Sequence, residues 1–280
     1  GKVGIGTTTP GQALHVIGSV NISDKLYTNV TYSLNAQPSY NPLDDDLVLY
    51  LPFSRGNESS DPTVFDRSKY GNDGVCDGVD TAWGCNWTTG PNGNAMEFDG
   101  EDDYVEASDT NLPSGNSTRT IMFWIKSLEP GGFTDTAYLF RYGSAVTEQG
   151  FGSYILSTGD GVSVNFYGQA DDFDTGIDLD DNKWHHLVFT YDETQVRVFK
   201  DTVEGSSSPT AKTLNTALDG NFRLATSTGP GSSQFSKIVM DEVRVYKRVL
   251  NDDEIRALYL AGLNATLKPY VDNSGNVGIG

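Results

Sequence analysis

The sequence predicts an all-β sandwich of antiparallel strands, with one short helix towards its C-terminal end and short β segments at both ends of the chain. Three observations predict it. Short apolar runs recur at regular spacing through the middle of the chain, separated by Gly, Asn and Asp. The 280 residues include 31 glycines, a composition suited to many tight turns. One run, TIMFWIK, is apolar on both alternating faces, as a strand covered on both sides must be.

The elements follow in order. The opening GKVGIGTTTPGQALHVIGSVNIS spaces Val3 from Ile5, Leu14 from Val16 and Val20 from Ile22 by two, with Gly and Pro between the pairs. Residues 1–42 therefore read as a β-stalk segment, closed by the linker NAQPSYNP. The segment is too poor in large apolar residues for its own core, so it must pair with other copies or with the main domain. Residues 43–262 form the main domain. Strands are expected at 47–53, 95–98, 104–106, 119–126, 137–142, 152–156, 161–167, 185–191, 195–200, 221–225 and 239–246. In 119–126, Ile121, Phe123 and Ile125 take one face and Met122 and Trp124 the other.

A helix is expected after Asn251, which can cap it with Glu254 three residues on. Ile255, Leu258 and Tyr259 share its apolar face, and Gly262 is read as its end. It is expected to lie across one end of the sandwich. Residues 263–280 read as a linker and the start of another stalk repeat. There GNVGIG repeats the opening GKVGIG with one substitution at a spacing of 274 residues, as arrays and fibres are encoded.

Net charge is −19, from 38 acidic and 19 basic residues. Such a surface repels nucleic acid and suits divalent cations. No run of 18 apolar residues exists, so no membrane span is expected. The chain opens without Met or a basic-then-apolar leader, which reads as a removed signal or a piece of a longer chain. The two cysteines, Cys76 and Cys85, have no His or Cys partners spaced for zinc, and read as a short-loop disulfide. Sequons for N-glycosylation occur at Asn21, Asn29, Asn57, Asn86, Asn116 and Asn264. Disulfide and sequons together point to an extracellular, cell-surface protein.

Two resemblances carry the reading further. Val3 to Thr8, Pro10, Leu14 to Val16 and Gly18 resemble the repeats of phage tail fibres and of large microbial surface proteins, where the phrase marks stalks and junctions. The middle segment resembles the laminin-G/concanavalin A-like superfamily through five phrases in order. These are LYLPF (49–53), DRSKYGNDG (66–74), AMEFDGEDDYV (95–105), WHHLVFTYD (184–192) and MDEVRVY (240–246). The resemblance implies an antiparallel jelly roll. It also implies a structural calcium ion held by Asp241, with Asp66, Asp99 and Gly100 as further candidates. The long acidic stretch 171–181 and the cysteine loop depart from the pattern.

By analogy with lectins of this fold, aromatics at loop tips could stack on sugars; Tyr70, Trp83, Trp87 and Phe173 are the candidates. Glu101, Asp103 and Glu106 match the E-x-D-x-x-E phrase of related glucan hydrolases. A retaining hydrolase needs two carboxyls about 5–5.5 Å apart, and Glu106 falls on the face opposite Glu101 and Asp103 unless a bulge intervenes. His185 and His186 alternate along a strand, so their rings cannot share a ligand. The expected function is a structural or adhesive repeat unit of an extracellular fibre, not an enzyme, joined head-to-tail to neighbouring copies through terminal strands. A carbohydrate-binding domain is the alternative, and a glucan hydrolase the remoter one.

Overall fold

The run TIMFWIK lies in a central strand of the back sheet, covered on one side by the core and on the other by an outer apolar cluster. A computed structural model describes residues 3–5, 14–16, 46–53, 62–77, 86–129, 133, 136–156, 161–166, 172–206, 214–227, 234–266, 269–271 and 277–279. The chain divides into two compact units, Gly1–Gln37 and Pro38–Gly280. In the first, β1 (Val3–Ile5) pairs in parallel with β2 (Leu14–Val16).

The second unit holds β3 (Leu47–Leu51), β4 (Thr63–Val64), β5 (Gly74–Asp77), β6 (Asn86–Gly90), β7 (Gly93–Asp99), β8 (Tyr104–Ser108), β9 (Arg119–Ser127) and β10 (Ala137–Gly143). It continues with β11 (Gly150–Ile155), β12 (Gly161–Asn165), β13 (Phe173–Asp178), β14 (His185–Tyr191), β15 (Val196–Lys200), β16 (Val203–Glu204), β17 (Asn221–Leu224) and β18 (Lys237–Tyr246). Helix α1 (Asp252–Thr266) follows, then the antiparallel pair β19 (Pro269–Val271) and β20 (Val277–Ile279). Two antiparallel sheets result. The front sheet runs β13-β12-β11-β10-β17-β8-β5-β4; the back sheet runs β16-β15-β14-β9-β18-β7-β6, with β3 also on β18.

The inward residues of the two sheets form one core. Phe140 of the front sheet meets Phe123 and Phe189 of the back sheet at 6.0 and 5.1 Å between ring centroids. It also meets Phe151 and Phe222 of its own sheet at 5.8 and 6.4 Å. Each such pair adds about 0.5–1.5 kcal/mol beyond the area buried. At one end Arg119, fully buried, joins the layers. Its guanidinium donates to Tyr142 Oη and Thr216 Oγ1, each at 2.8 Å, and to the carbonyls of Gly115 and Ser117. It also lies 5.5 Å from the rings of Phe151 and Tyr191. A buried cation is tolerable only when its donors are met in this way.

The outward side of β9 carries Met122 and Trp124. Met122 joins Leu47, Val188, Phe199 and Tyr246 in a second apolar cluster, closed by Leu250, Ile255 and Leu258 around α1. The helix thus lies across the outer face of the back sheet, where the sequence suggested one end of the sandwich. Its start is as expected. Glu254 N donates to Asn251 Oδ1 at 3.0 Å, and Asn251 N donates to Glu254 Oε2 at 2.9 Å. Its end is not: Gly262 lies inside the helix, which runs on to Thr266. The glycine serves a close approach instead. A Cβ at Gly262 would stand 2.4 Å from Trp124 Nε1, and the indole stacks on Tyr259 at 5.5 Å.

The stretch 171–181 is a second departure. It contains β13, in which Phe173, Thr175 and Ile177 are buried while Asp174, Gly176 and Asp178 are exposed. Asp174 and Asp178 are the solvent side of this edge strand.

Gly262→Ala separates packing from helix propensity. Propensity alone would stabilise by about 1 kcal/mol. The clash with Trp124 should reverse the sign and lower the melting temperature, with a loss of about 1–3 kcal/mol. A chemical denaturation curve showing a stabilised variant would refute the packing account.

Candidate functional site

The candidate calcium residues are spread over separate places. Asp66 is buried in the turn before β5 and its carboxylate is fully engaged. It accepts from Tyr50 N (2.9 Å), Ser68 N, Ser68 Oγ and Asn72 N (2.8 Å each). Those donors occupy the lone pairs a cation would need, so Asp66 organises the turn. Asp99 ends β7 opposite Lys237, while Asp241 lies four residues further along β18. At about 3.3 Å per residue the two are about 13 Å apart along the strand. Asp66, Asp99, Gly100 and Asp241 therefore do not form one site, and the expected set is corrected on that point.

One group among the described residues does offer converging carboxylates. Asp99, Asp102 and Asp103 each place one ligand atom within 4.8 Å of the others. Gly100 makes the turn there with φ +84°. Asp99 Oδ1 accepts from Glu101 N at 2.8 Å, and Asp103 Oδ2 accepts from Asp99 N at 3.2 Å. Three hard oxygen donors on a tight turn suit a hard cation. The sequence reading named Asp99 and Gly100 but missed Asp102 and Asp103.

Asp241 has a different environment. It is fully buried, and its Oδ2 accepts from Asn92 N at 3.0 Å. A Cβ at Gly90 would stand 2.6 Å from that oxygen, so the β6–β7 hairpin closes over it only with glycine there. Its Oδ1 has no hydrogen-bond partner. A bulge in β18 follows, with Glu242 at φ +56°. Buried Glu242 takes the Tyr50 hydroxyl at 3.0 Å and pairs with Arg244, which lies 4.3 Å from the Tyr50 ring. Arg244 is thus committed to Glu242. Burial, then repulsion from Glu242, pushes the Asp241 carboxyl up to about 8.

The two histidines part as their alternation requires. His185 is held between carboxylates, Nδ1 at 2.6 Å from Asp201 and Nε2 at 2.9 Å from Asp181. The Asp201 hydrogen bond, opposed by burial and assisted by Asp181, raises its pKa above the usual imidazole value. His186 is fully buried between Trp124 and Tyr259, 5.3 and 6.0 Å away. Burial, then nearby Arg244, lowers it to about 3.

The hydrolase-like phrase does not lie on one strand. Glu101 is exposed in the turn, Asp103 is buried beneath it, and Glu106 sits on β8, where Arg223 Nε donates to it at 3.0 Å. Of the candidate sugar-stacking residues, Phe173 is a core residue stacked on Phe166 at 6.5 Å, so its loop-tip placement is corrected: the period-two pattern of β13 turns it inward. Trp87 is half-buried and packs edge-on to Phe53 at 6.4 Å. Tyr70 is half-buried, with Lys69 and Lys247 near its ring. Trp83 lies outside the described residues.

Among the sequons, Asn86 is exposed on β6 and Asn116 is exposed with its Oδ1 taken by the Tyr191 hydroxyl. Asn264 falls in the last turns of α1; Asn21, Asn29 and Asn57 lie outside the described residues. Cys76 is disulfide-bonded, and Cys85, the only other cysteine, also lies outside them.

Sequence reasoning missed the outer face of the front sheet. There Tyr138 of β10 is paired with Tyr154 of β11, their rings 5.5 Å apart and inclined at 45°. The Tyr154 hydroxyl donates to Asp172 Oδ2 at 3.2 Å, as does Asn165 Nδ2 at 2.8 Å.

Comparison with known proteins decides the family. The sequence profile of the concanavalin A-like lectin/glucanases superfamily matches residues 99–256. The chain belongs to this superfamily. Among solved structures it is similar to domain 4 of AbnA, an extracellular arabinanase from Geobacillus stearothermophilus, solved in complex with arabinotriose. That match has a TM-score of 0.58 and 19% identity, over 76% of this chain and 98% of that one. The binding domain of botulinum neurotoxin serotype D/C gives 0.61 and 12%, over 84% of this chain and 56% of that one. Trypanosoma rangeli sialidase gives 0.53 and 22%, over 77% and 33%. The chain thus spans about a third of the sialidase and somewhat over half of the toxin domain. No curated protein sequence matches the chain. At these identities the likenesses establish the superfamily's sandwich, and no helix among the described residues is long and apolar enough to cross a membrane.

Asp241 yields a pH prediction. Its folded pKa stands above the ordinary 3.8, so the fold favours the protonated form. The associated stability is complete below the ordinary value and is lost as pH rises through about 8. Between pH 6 and 9, in chelator, the wild-type melting temperature should decline, and that of Asp241→Asn should decline less. Parallel curves would contradict a protonated Asp241.

Proposed function

We propose that the sandwich is a carbohydrate-binding module. The observation that carries this reading is the match over 98% of arabinanase domain 4, a whole domain of the same fold solved with arabinotriose. The ion pair that engages Glu106, with Glu101 out in a turn, supports binding without hydrolysis. The disulfide at Cys76 supports an extracellular setting. A glycan panel that includes arabino-oligosaccharides and β-glucans tests both parts. Saturable binding with no release of reducing sugar is expected. No binding to any glycan would overturn the module, and turnover would overturn its non-catalytic character.

A structural calcium ion belongs to this reading, held by Asp99, Asp102 and Asp103, where it would neutralise three crowded carboxylates. Calcium should raise the melting temperature of the wild type in a chelated sample, and Asp102→Asn should abolish that rise. A melt indifferent to calcium removes the ion.

A second reading, a repeat unit of a surface fibre, has its own support. The repeated VGI forms a strand at each end, β1 and β20, each paired with one three-residue partner. Two-stranded pairs that short are not stable alone and need further strands, which neighbouring copies would supply. Electron microscopy should show end-to-end assemblies; dispersed single particles at high concentration would contradict them.

A further inference from the structure

We propose that saccharide is taken on the outer face of the front sheet, at Tyr138 and Tyr154, and that the ligand is a neutral oligosaccharide. This rests on the binding-module reading above and assigns its site and ligand class. The two outer faces of the sandwich are not equivalent. The back sheet's is filled by α1, which closes over Met122 and stacks Tyr259 on Trp124. The front sheet carries no helix among the described residues, and its aromatic pair stays half-buried on β10 and β11.

The pair is preorganised. Tyr138 and Tyr154 are direct cross-strand partners, and β10 bulges just beyond Tyr138. Asp172 is fixed by Asn165 Nδ2 at 2.8 Å and by Phe166 N at 3.0 Å, and it in turn holds the Tyr154 hydroxyl. Two rings set this way present apolar surface for the C–H face of a sugar at low entropic cost. The Asp172 carboxylate beside them accepts hydrogen bonds from sugar hydroxyls. Leu156, 42% exposed, follows the end of β11 and extends the apolar surface.

Charge selects the ligand class. Exposed Asp174 on β13, the edge strand beyond β12, adds a second carboxylate near Asp172 and Tyr154, and the chain carries −19 overall. A sialylated or sulfated glycan would meet like charge there, whereas a neutral one meets acceptors. The rim candidates Tyr70 and Trp87 are instead packed on the core.

The test is binding of neutral oligosaccharides and their sialylated counterparts to the full chain and its variants, each checked by its melting temperature. Tyr138→Ala and Tyr154→Ala should each weaken neutral-glycan binding about tenfold or more, about 1.4 kcal/mol. Tyr154→Phe, which keeps the ring, should stay within about threefold of the wild type. Trp87→Ala should bind as the wild type does. Should the alanine variants fold poorly, Asp172→Asn with Asp174→Asn provides a second reading: it should narrow the preference for neutral over sialylated glycans. Wild-type binding that survives both alanine changes, or that is lost in Trp87→Ala alone, overturns the site and leaves the module standing. A sialylated preference in the wild type overturns the ligand class. No glycan binding by the wild type overturns site and module together.

Discussion

A strand that is apolar on both faces cannot meet water on either, and β9 is such a strand. Ile121, Phe123 and Ile125 enter the core between the sheets, while Met122 and Trp124 point the other way and need a cover of their own. The cover is α1. Its capping box fixes where it starts, and the glycine at 262 lets its last turns settle onto the indole. Once a helix is committed to the back of one sheet, that sheet gains a third layer, and the other sheet has no helix on it among the described residues. The asymmetry of the molecule follows from the sequence of a single strand.

The polar groups respect the same layering. Arg119 joins the sheets from inside by giving its donors to neutral oxygens and lying beside aromatic rings, so no carboxylate has to be buried with it. Behind the back sheet, two buried acids meet one arginine. Glu242 takes Arg244, and Asp241 is left where the proton is the cheapest counter-charge. Burial and Glu242 together raise the carboxyl of a residue that resembles a metal ligand in sequence. Carboxylates that remain partly accessible gather elsewhere, at the β7–β8 turn and along β13 beside the tyrosine pair.

Much of the fold was legible because it is local. The strand at 185–191, the two-faced strand and the helix cap follow from side-chain period and from residue types three apart. What was not legible depends on neighbours distant in sequence. Gly262 reads as a helix stop by its type, yet its role is set by Trp124, far back in the chain. Phe173 reads as a loop aromatic because the aspartates around it mask the alternation that buries it. Asp66, Asp99 and Asp241 fall into one family pattern, but strand register holds Asp99 and Asp241 apart and turn donors occupy Asp66. Tyr138 and Tyr154 are 16 residues apart and meet only because β10 and β11 pair in a bulged register. No period or motif announces such a meeting.

The central claim is that the helix closes one outer face and leaves the other to bind. Amide hydrogen exchange of the intact chain, with and without a saturating neutral oligosaccharide, tests it most directly. The account expects slowed exchange in β10 to β13 and no change in α1, β9 or β14. Protection centred on the helix and the back sheet would contradict it.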